Sequence, residues 1–253
     1  MANKCIKWKP EKIEALVNDV YSGVVTRDNL PRDLYEAIVE IMTNSIVKGF
    51  GKDFEKGSAA SDLLVSFKQN VSVFSAAKTY QQINDMSNFV IDEAGEKISF
   101  SSFKQYADEI FKTYNVDWLE TEFNTAFSLS QSAQDWLQIE EQKDALPMLR
   151  FSTVGDNRVR DDHADFDGIT LPVDDPFWDN NYPPLDWNCR CIVTQHEADE
   201  YEKTSEKDLK ALDLPEIPDL FKGNPAKSGY IFDENAHPYF LVADKYKKEN
   251  FGL

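Results

Sequence analysis

The sequence predicts an α+β protein, an N-terminal helical region followed by a small irregular sheet packed on helices. Three observations predict it. Apolar residues recur three or four apart through most of the first 147 positions, the pattern turns to alternation after Pro147, and periodicity nearly vanishes from Gly155 to Cys191. With 253 residues, 42% of them hydrophobic and 13% aromatic, the chain can bury a sizeable core in one large or two small domains.

The elements follow in order. Residues 9–22 have helical spacing. Residues 31–48 open on Pro31 at a first helical position, repeat Leu34, Ile38, Ile41 and Met42 on one face, and meet Gly49 as a stop. Residues 59–69 and 71–91 read as two further helices, the second ended by the turn Asp92-Glu93-Ala94-Gly95. Ser101 or Ser102 is placed to cap a helix running to about Lys112. The longest helix is expected to begin at Asp117, with Glu120 three residues on as a capping box. Its stripe of Leu119, Phe123, Ala126, Phe127, Ala133, Trp136 and Leu137 reads as a core face, and as a binding groove only against ordinary burial statistics. Pro147 closes this half. The strand candidates are 148–154, 189–195, 229–232 and 239–242.

Charge and composition exclude several classes of function. Forty-five acidic against 27 basic residues give a net charge of -18, a field that repels nucleic acid and anionic lipid. The one basic cluster, Lys245, Lys247 and Lys248, is interleaved with acids and too small to track phosphates. The start lacks the apolar stretch of a secretory signal, and no run approaches the roughly 18 apolar residues of a membrane span. Cytoplasmic synthesis and no membrane partner are expected. Three cysteines make no disulfide framework.

The chemistry concentrates between Gly155 and Cys191. Aspartates 156, 161, 162, 165, 167, 174, 175, 179 and 186 surround His163, Arg158, Arg160, Arg190, Trp178, Trp187, the Pro183-Pro184 pair and the thiols Cys189 and Cys191. A segment without an apolar face must be fixed by hydrogen bonds, turns or a metal, because ordering each residue costs about 1–2 kcal/mol. In an extended 189–191 the two thiols share a face about 6.6 Å apart at Cα. That offers zinc two sulfurs, with His163 as the next ligand and His196, His237 or an aspartate as the fourth. The competing reading makes the thiols small buried hydrophobes and His163 a hydrogen-bonded scaffold residue. Arg158 and Arg160 are expected to pair with Asp156, Asp161, Asp162 or Asp165 rather than with a phosphate. The acids lack the spacing of an EF-hand and read mostly as caps and turns, with Asp167-Gly168 as one turn and Asp174-Asp175-Pro176 as a helix or turn entry. Trp178, Tyr182, Pro183, Pro184 and Trp187 are expected to cover the loop as a satellite core.

The run TVGDNRVRDDHADFDGITLPVDDPFWDNNYPPLDWNCRC resembles the signature of the phage Mu F-like family of head morphogenesis or minor capsid proteins. The pieces appear in order: GDxRVRxxH with a following DG, LPxDxPFW, YPP and WNCRC. AKTYQQIND and DWLETEFNTAFSLSQSAQDW look like the helical portion upstream, and NPAKSGYIFDENAHPYF like the segment downstream, so the resemblance covers roughly residues 75–242. It implies a head morphogenesis domain over 71–253, helical to 147 and α+β from 148, after a helical region 1–70 that no motif anchors. Its signature positions here are Asp156, Arg158, Arg160, His163, Asp167, Gly168, Trp178, Pro183, Pro184, Trp187 and Arg190. The implied function is a minor, non-enzymatic component of a tailed-phage virion, assembled in the bacterial host cytoplasm. Its implied partners are the portal and other head proteins, near packaged DNA without binding it strongly. The alternative is a hydrolase or transferase acting on nucleic acid or nucleotide through His163 with Asp162 or Asp165 and a cysteine. Against it stand the lack of a glycine-rich phosphate loop, a G-x-S-x-G elbow or an H-E-x-x-H motif.

Overall fold

A computed structural model describes residues 4–51, 55–241, 246 and 250–252. They form an α+β fold that divides into two compact units, each assembled from separate stretches. The first takes Met1–Ser45, Lys68–Phe123 and Phe232–Leu253, the second Ile46–Phe67 and Asn124–Ile231.

The first unit is helical. Helix α1 (Pro10–Ser22) starts on a proline and ends on Gly23, whose left-handed φ of 78° lets its N–H reach the Asp19 and Val20 carbonyls. Helix α2 (Arg32–Phe50) buries Leu34, Ile38, Ile41 and Met42, the face that the spacing predicted. The two helices expected at 59–69 and 71–91 are one, α3 (Ala59–Ser87). Asn70 does not break it, because its buried amide turns outward to Phe232, accepting from that backbone N–H and donating to its carbonyl, both at 2.9 Å. The same pairing explains why 229–232 is no strand: Phe232 has a side-chain amide as its partner instead of a ladder. Asp92 accepts from the N–H groups of Ala94 and Glu96 and makes the predicted turn, with Gly95 at φ 82°.

Helix α4 (Phe100–Lys112) is capped by Ser99, which accepts from the Ser102 N–H at 3.1 Å, rather than by Ser101 or Ser102. The expected start at Asp117 is also corrected. A π-helical segment, Thr113–Trp118, carries α4 without a break into α5 (Leu119–Gln142), and the Asp117 carboxylate accepts from Lys112 instead of capping. In place of a strand at 239–242, Pro238–Leu241 is a 3-10 turn, and Val242 lies outside the described residues, as do Lys245, Lys247 and Lys248. Buried Lys78 pairs with buried Glu122 at 2.9 Å, its ammonium 5.2 and 5.1 Å from the rings of Tyr114 and Tyr239. Burial pushes the lysine pKa down and the glutamate pKa up, and their mutual attraction opposes both shifts.

The second unit carries the sheet. Strand β1 (Met148–Ser152) is central, flanked by β2 (Thr170–Pro172) and β3 (Ile192–His196), both antiparallel to it. Leu149 pairs with Leu171 and Gln195, and Phe151 with Val193. The strand expected at 148–154 ends at Ser152, and that expected at 189–195 begins only at Ile192. Strand β2 has no signature in the sequence because three residues are too short to alternate. Gly49 is no helix stop: a Cβ there would lie 2.2 Å from the Phe127 carbonyl and the Ser130 hydroxyl of α5, so close backbone approach requires a glycine. Trp136 and Ile139 of α5 meet Leu149 and Phe151 of β1 in one core with Phe166, Trp178, Tyr182 and Leu185. No helix among the described residues is long and apolar enough to cross a membrane.

His237, packed edge-on to Phe74 at 5.1 Å in the first unit, is held down to about 4 by burial and then by the charge of Lys78. A neutral ring therefore supports the fold fully above its ordinary value of 6.5, and that support disappears as pH falls through about 4. We expect acidification across this window to cost on the order of 3 kcal/mol through this one residue. Chemical denaturation at a series of pH values should show a shallower acid slope for His237→Phe than for the wild type; equal slopes would reject the assignment.

Candidate metal centre

Two segments of the second unit bring three side chains to one point. His163 sits in the short helix α6 (Asp161–Ala164), entered from extended Arg160, and its side chain is buried. Cys189 and Cys191 precede β3, outside the ladder, after Asn188 adopts a left-handed φ of 56°, a conformation asparagine tolerates. The Nδ1 of His163 lies 3.5 Å from the Cys189 sulfur and 3.8 Å from the Cys191 sulfur. All three potential ligand atoms fall within 4.8 Å of one another. Bond lengths of about 2.1 Å to nitrogen and 2.3 Å to sulfur place the nitrogen–sulfur edges of a tetrahedral zinc site near 3.6 Å, so the spacing fits that ion. The donor chemistry fits as well. The hydrogen bond from Cys191, and after it the one from His163, hold the Cys189 thiol well below the usual thiol range against burial, the direction a metal-binding sulfur needs. Cys191 is pushed up by its hydrogen bond with Cys189 and by burial, and His163 is raised by its contact with Cys189.

The fourth ligands considered from the sequence are placed elsewhere. His196 uses Nδ1 toward Glu200 at 2.9 Å and Nε2 toward Thr194 at 2.7 Å. His237 belongs to the first unit, where its Nδ1 accepts from the Tyr239 N–H. Among the described residues the set is therefore His163, Cys189 and Cys191, without an aspartate.

A frame of hydrogen bonds holds the loop that bears these ligands. Asp167 accepts from the Thr153 N–H and hydroxyl at 2.7 and 3.0 Å, tying the loop to the end of β1. Gly168 turns at φ 84°, and its carbonyl accepts from Arg150 at 2.8 Å. Arg150 also donates to Thr170 and stacks on Tyr201, a role with no motif to betray it. The arginine pairing differs from expectation. Arg190, not Arg158 or Arg160, forks onto Asp156 at 2.7 and 2.8 Å and holds that carboxyl down to about 2. Arg160 bonds the Trp187 carbonyl at 2.8 Å and lies 3.4 Å from Asp186. Arg158 enters the frame through its backbone N–H, which Asp156 accepts.

The aromatic and proline positions are core more than cover. Trp178 is fully buried in a 3-10 turn, Pro176–Asp179, entered through Asp175 as expected, and its indole donates to the Pro172 carbonyl at 2.9 Å. Pro183 and Pro184 are buried and joined by a cis peptide, and the Pro183 carbonyl accepts from Ser132 of α5. Half-buried Trp187 packs edge-on to Phe221. Phe166, Trp178, Tyr182 and Leu185 bury about 1.5–3 kcal/mol each, so the loop has the apolar anchor that its missing periodicity seemed to deny.

A short antiparallel sheet on a long helix, with a two-thiol, one-imidazole cluster in a hydrogen-bonded loop, defines an α+β protein with a braced signature loop. Residues 75–194 match the family described as Phage Mu protein F like protein, and over this stretch the chain is Mu F-like, as its motifs indicate. The match stops at Thr194, before the downstream segment 224–240. Two relatives are similar over 75 residues. The Mu-like prophage FluMu F protein of Haemophilus influenzae is 39% identical and the Putative capsid assembly protein F of Escherichia phage Mu 35%. The aligned stretch is 30% of this chain and 17% of each relative, so the chain matches less than a fifth of their length. No solved structure matches the chain significantly.

Gly168→Ala tests the frame. A side chain at this φ would be strained, and its Cβ would lie 3.0 Å from the Arg150 guanidinium. We expect a loss of about 1–2 kcal/mol in urea unfolding; a change within error would mean that the turn is not rigidly held.

Proposed function

We propose that this chain is a minor head protein of a Mu-like tailed phage or prophage. It acts in head assembly through contacts with the portal and other head proteins, and contributes to genome delivery without binding DNA strongly. The family match and the relative named for capsid assembly support this reading. The observation that carries it is the convergence of the Mu F-like signature on a single brace, His163 against Cys189 and Cys191, within a frame in which Asp156, Asp167, Arg160 and Arg190 bind one another or nearby chain. That is how residues are used to hold a surface in shape. A nucleophile–base pair would also need a third group to orient the imidazole, and among the described residues the His163 ring has no side-chain partner other than the two thiols. Here Nδ1 faces the two sulfurs, and Asp162 accepts from the backbone N–H of His163 rather than from its ring.

We further propose that His163 Nδ1, Cys189 and Cys191 hold zinc. The ion would cross-link α6 to the approach of β3 in a structural role. The chain's residues do the rest: Asp167 and Gly168 position the loop between β1 and α6, and the Arg190–Asp156 fork closes its far side.

Two measurements test this reading. Quantitative mass spectrometry of particles purified from an induced lysogen should find the chain in heads at low copy number; its absence from heads and head intermediates would overturn the assignment. Elemental analysis of purified protein should find about one zinc per chain, lost together with thermal stability in Cys189→Ser/Cys191→Ser. A metal-free wild type with unchanged stability on chelation would refute the metal while leaving the head assignment standing.

A further inference from the structure

A cavity of about 470 Å³ opens beside the candidate metal centre, and Arg158, Arg160, Arg190, His163, Asn124 and Ser128 are among the residues that line it. Its charge runs against that of the chain. The sequence contains six arginines, and three of them meet here. Acids outnumber bases by 45 to 27 overall, yet no aspartate or glutamate is among the lining residues described. The three guanidinium groups are not equally engaged. Arg190 forks onto Asp156, and Arg160 holds the Trp187 carbonyl with Asp186 nearby. The Arg158 side chain has no ion pair or hydrogen bond among the described residues, although it stands two positions from the acid that Arg190 takes.

We propose that this cavity is a carboxylate-binding site that receives an acidic segment of a partner protein, with Arg158 as the principal contact. That the partner is a head protein rests on the reading above; the site itself does not. Three physical reasons select the ligand. A guanidinium fork matches a planar carboxylate, and the Arg190–Asp156 pair at 2.7 and 2.8 Å shows that geometry beside the cavity. The volume suits a few residues of an inserted segment and not a duplex. A net charge of -18 repels any long polyanion laid over the surface, so the ligand has to be short enough for its charge to be met inside the cavity. Asn124 and Ser128 add polar groups from α5 to the wall.

The test uses the full chain and a fluorescein-labelled oligoglutamate peptide, followed by anisotropy at several salt concentrations. Wild-type protein should bind the peptide, more weakly as salt rises, and Arg158→Glu should weaken binding about tenfold. Arg158→Glu should melt close to the wild-type temperature, since the exposed side chain makes no hydrogen bond or ion pair among the described residues and acts on Asp156 only through space. Arg27→Glu, in the first unit, should bind like the wild type. Equal binding by wild type and Arg158→Glu, or no binding by the wild type, would overturn the proposal. So would tighter, Arg158-dependent binding of a single-stranded oligothymidylate, which would make the cavity a phosphate site. Peptide binding is read on purified protein and head location on particles, so either can fail without the other.

Discussion

The second unit depends on bringing one imidazole to two sulfurs that lie 26 and 28 residues further along the chain. Closing a flexible loop of that length costs about 3 kcal/mol on chain-entropy grounds. Nothing within the loop repays this through regular structure, since it contains one helical turn, a three-residue strand and a 3-10 turn. Repayment comes from two sources that act at different points. Phe166, Trp178, Tyr182 and Leu185 sink into the core shared by α5 and β1, and the polar frame fixes the ends. The imidazole–thiol contact then joins the start of the loop to its finish.

The frame also governs electrostatics. Nine aspartates in one loop would repel one another unless each were answered locally, and several are. Asp156 meets Arg190, Asp167 meets Thr153, Asp175 caps the turn that buries Trp178, and Asp162 accepts a backbone N–H. The answers are short-range and mostly to backbone, so they shape the loop without building a large field. The exception is the arginine-lined cavity, where positive charge exceeds what the frame consumes. A basic recess whose wall includes the brace residues His163, Cys189 and Cys191 suits a surface that must stay rigid while engaging something acidic.

Much of the helical half was legible because burial has a period. The α2 and α5 stripes appear where spacing puts them, and Asp92, Asp167-Gly168 and Asp175 make their predicted turns because turn chemistry is local. The errors share a different cause. Asn70 and Asp117 look like breaks but sit inside continuous helices, since a tertiary partner at Phe232 takes the Asn70 amide and Lys112, one turn back, takes the Asp117 carboxylate. Residues 229–232 are apolar enough for a strand, yet side-chain pairing to Asn70 replaced the ladder. Gly49 was read as a stop when close packing against α5 demanded it. Of the site, the grouping of His163 with Cys189 and Cys191 was legible from residue type and motif order. Which arginine meets which acid was not, and Arg150 carried no signal, because both depend on chain segments far apart in sequence. Units built from interleaved segments are equally beyond a linear reading.

Amide hydrogen exchange across residues 155–191 reports most directly on whether this loop is a braced framework. Strong protection is predicted at Phe166, Gly168 and Trp178, whose N–H groups bond the His163, Phe151 and Asp175 carbonyls. In His163→Ala that protection should fall throughout the loop while α5 stays protected. Rapid exchange of these amides in the wild type, or protection unchanged by the substitution, would contradict the idea that the imidazole and the two thiols hold the loop together.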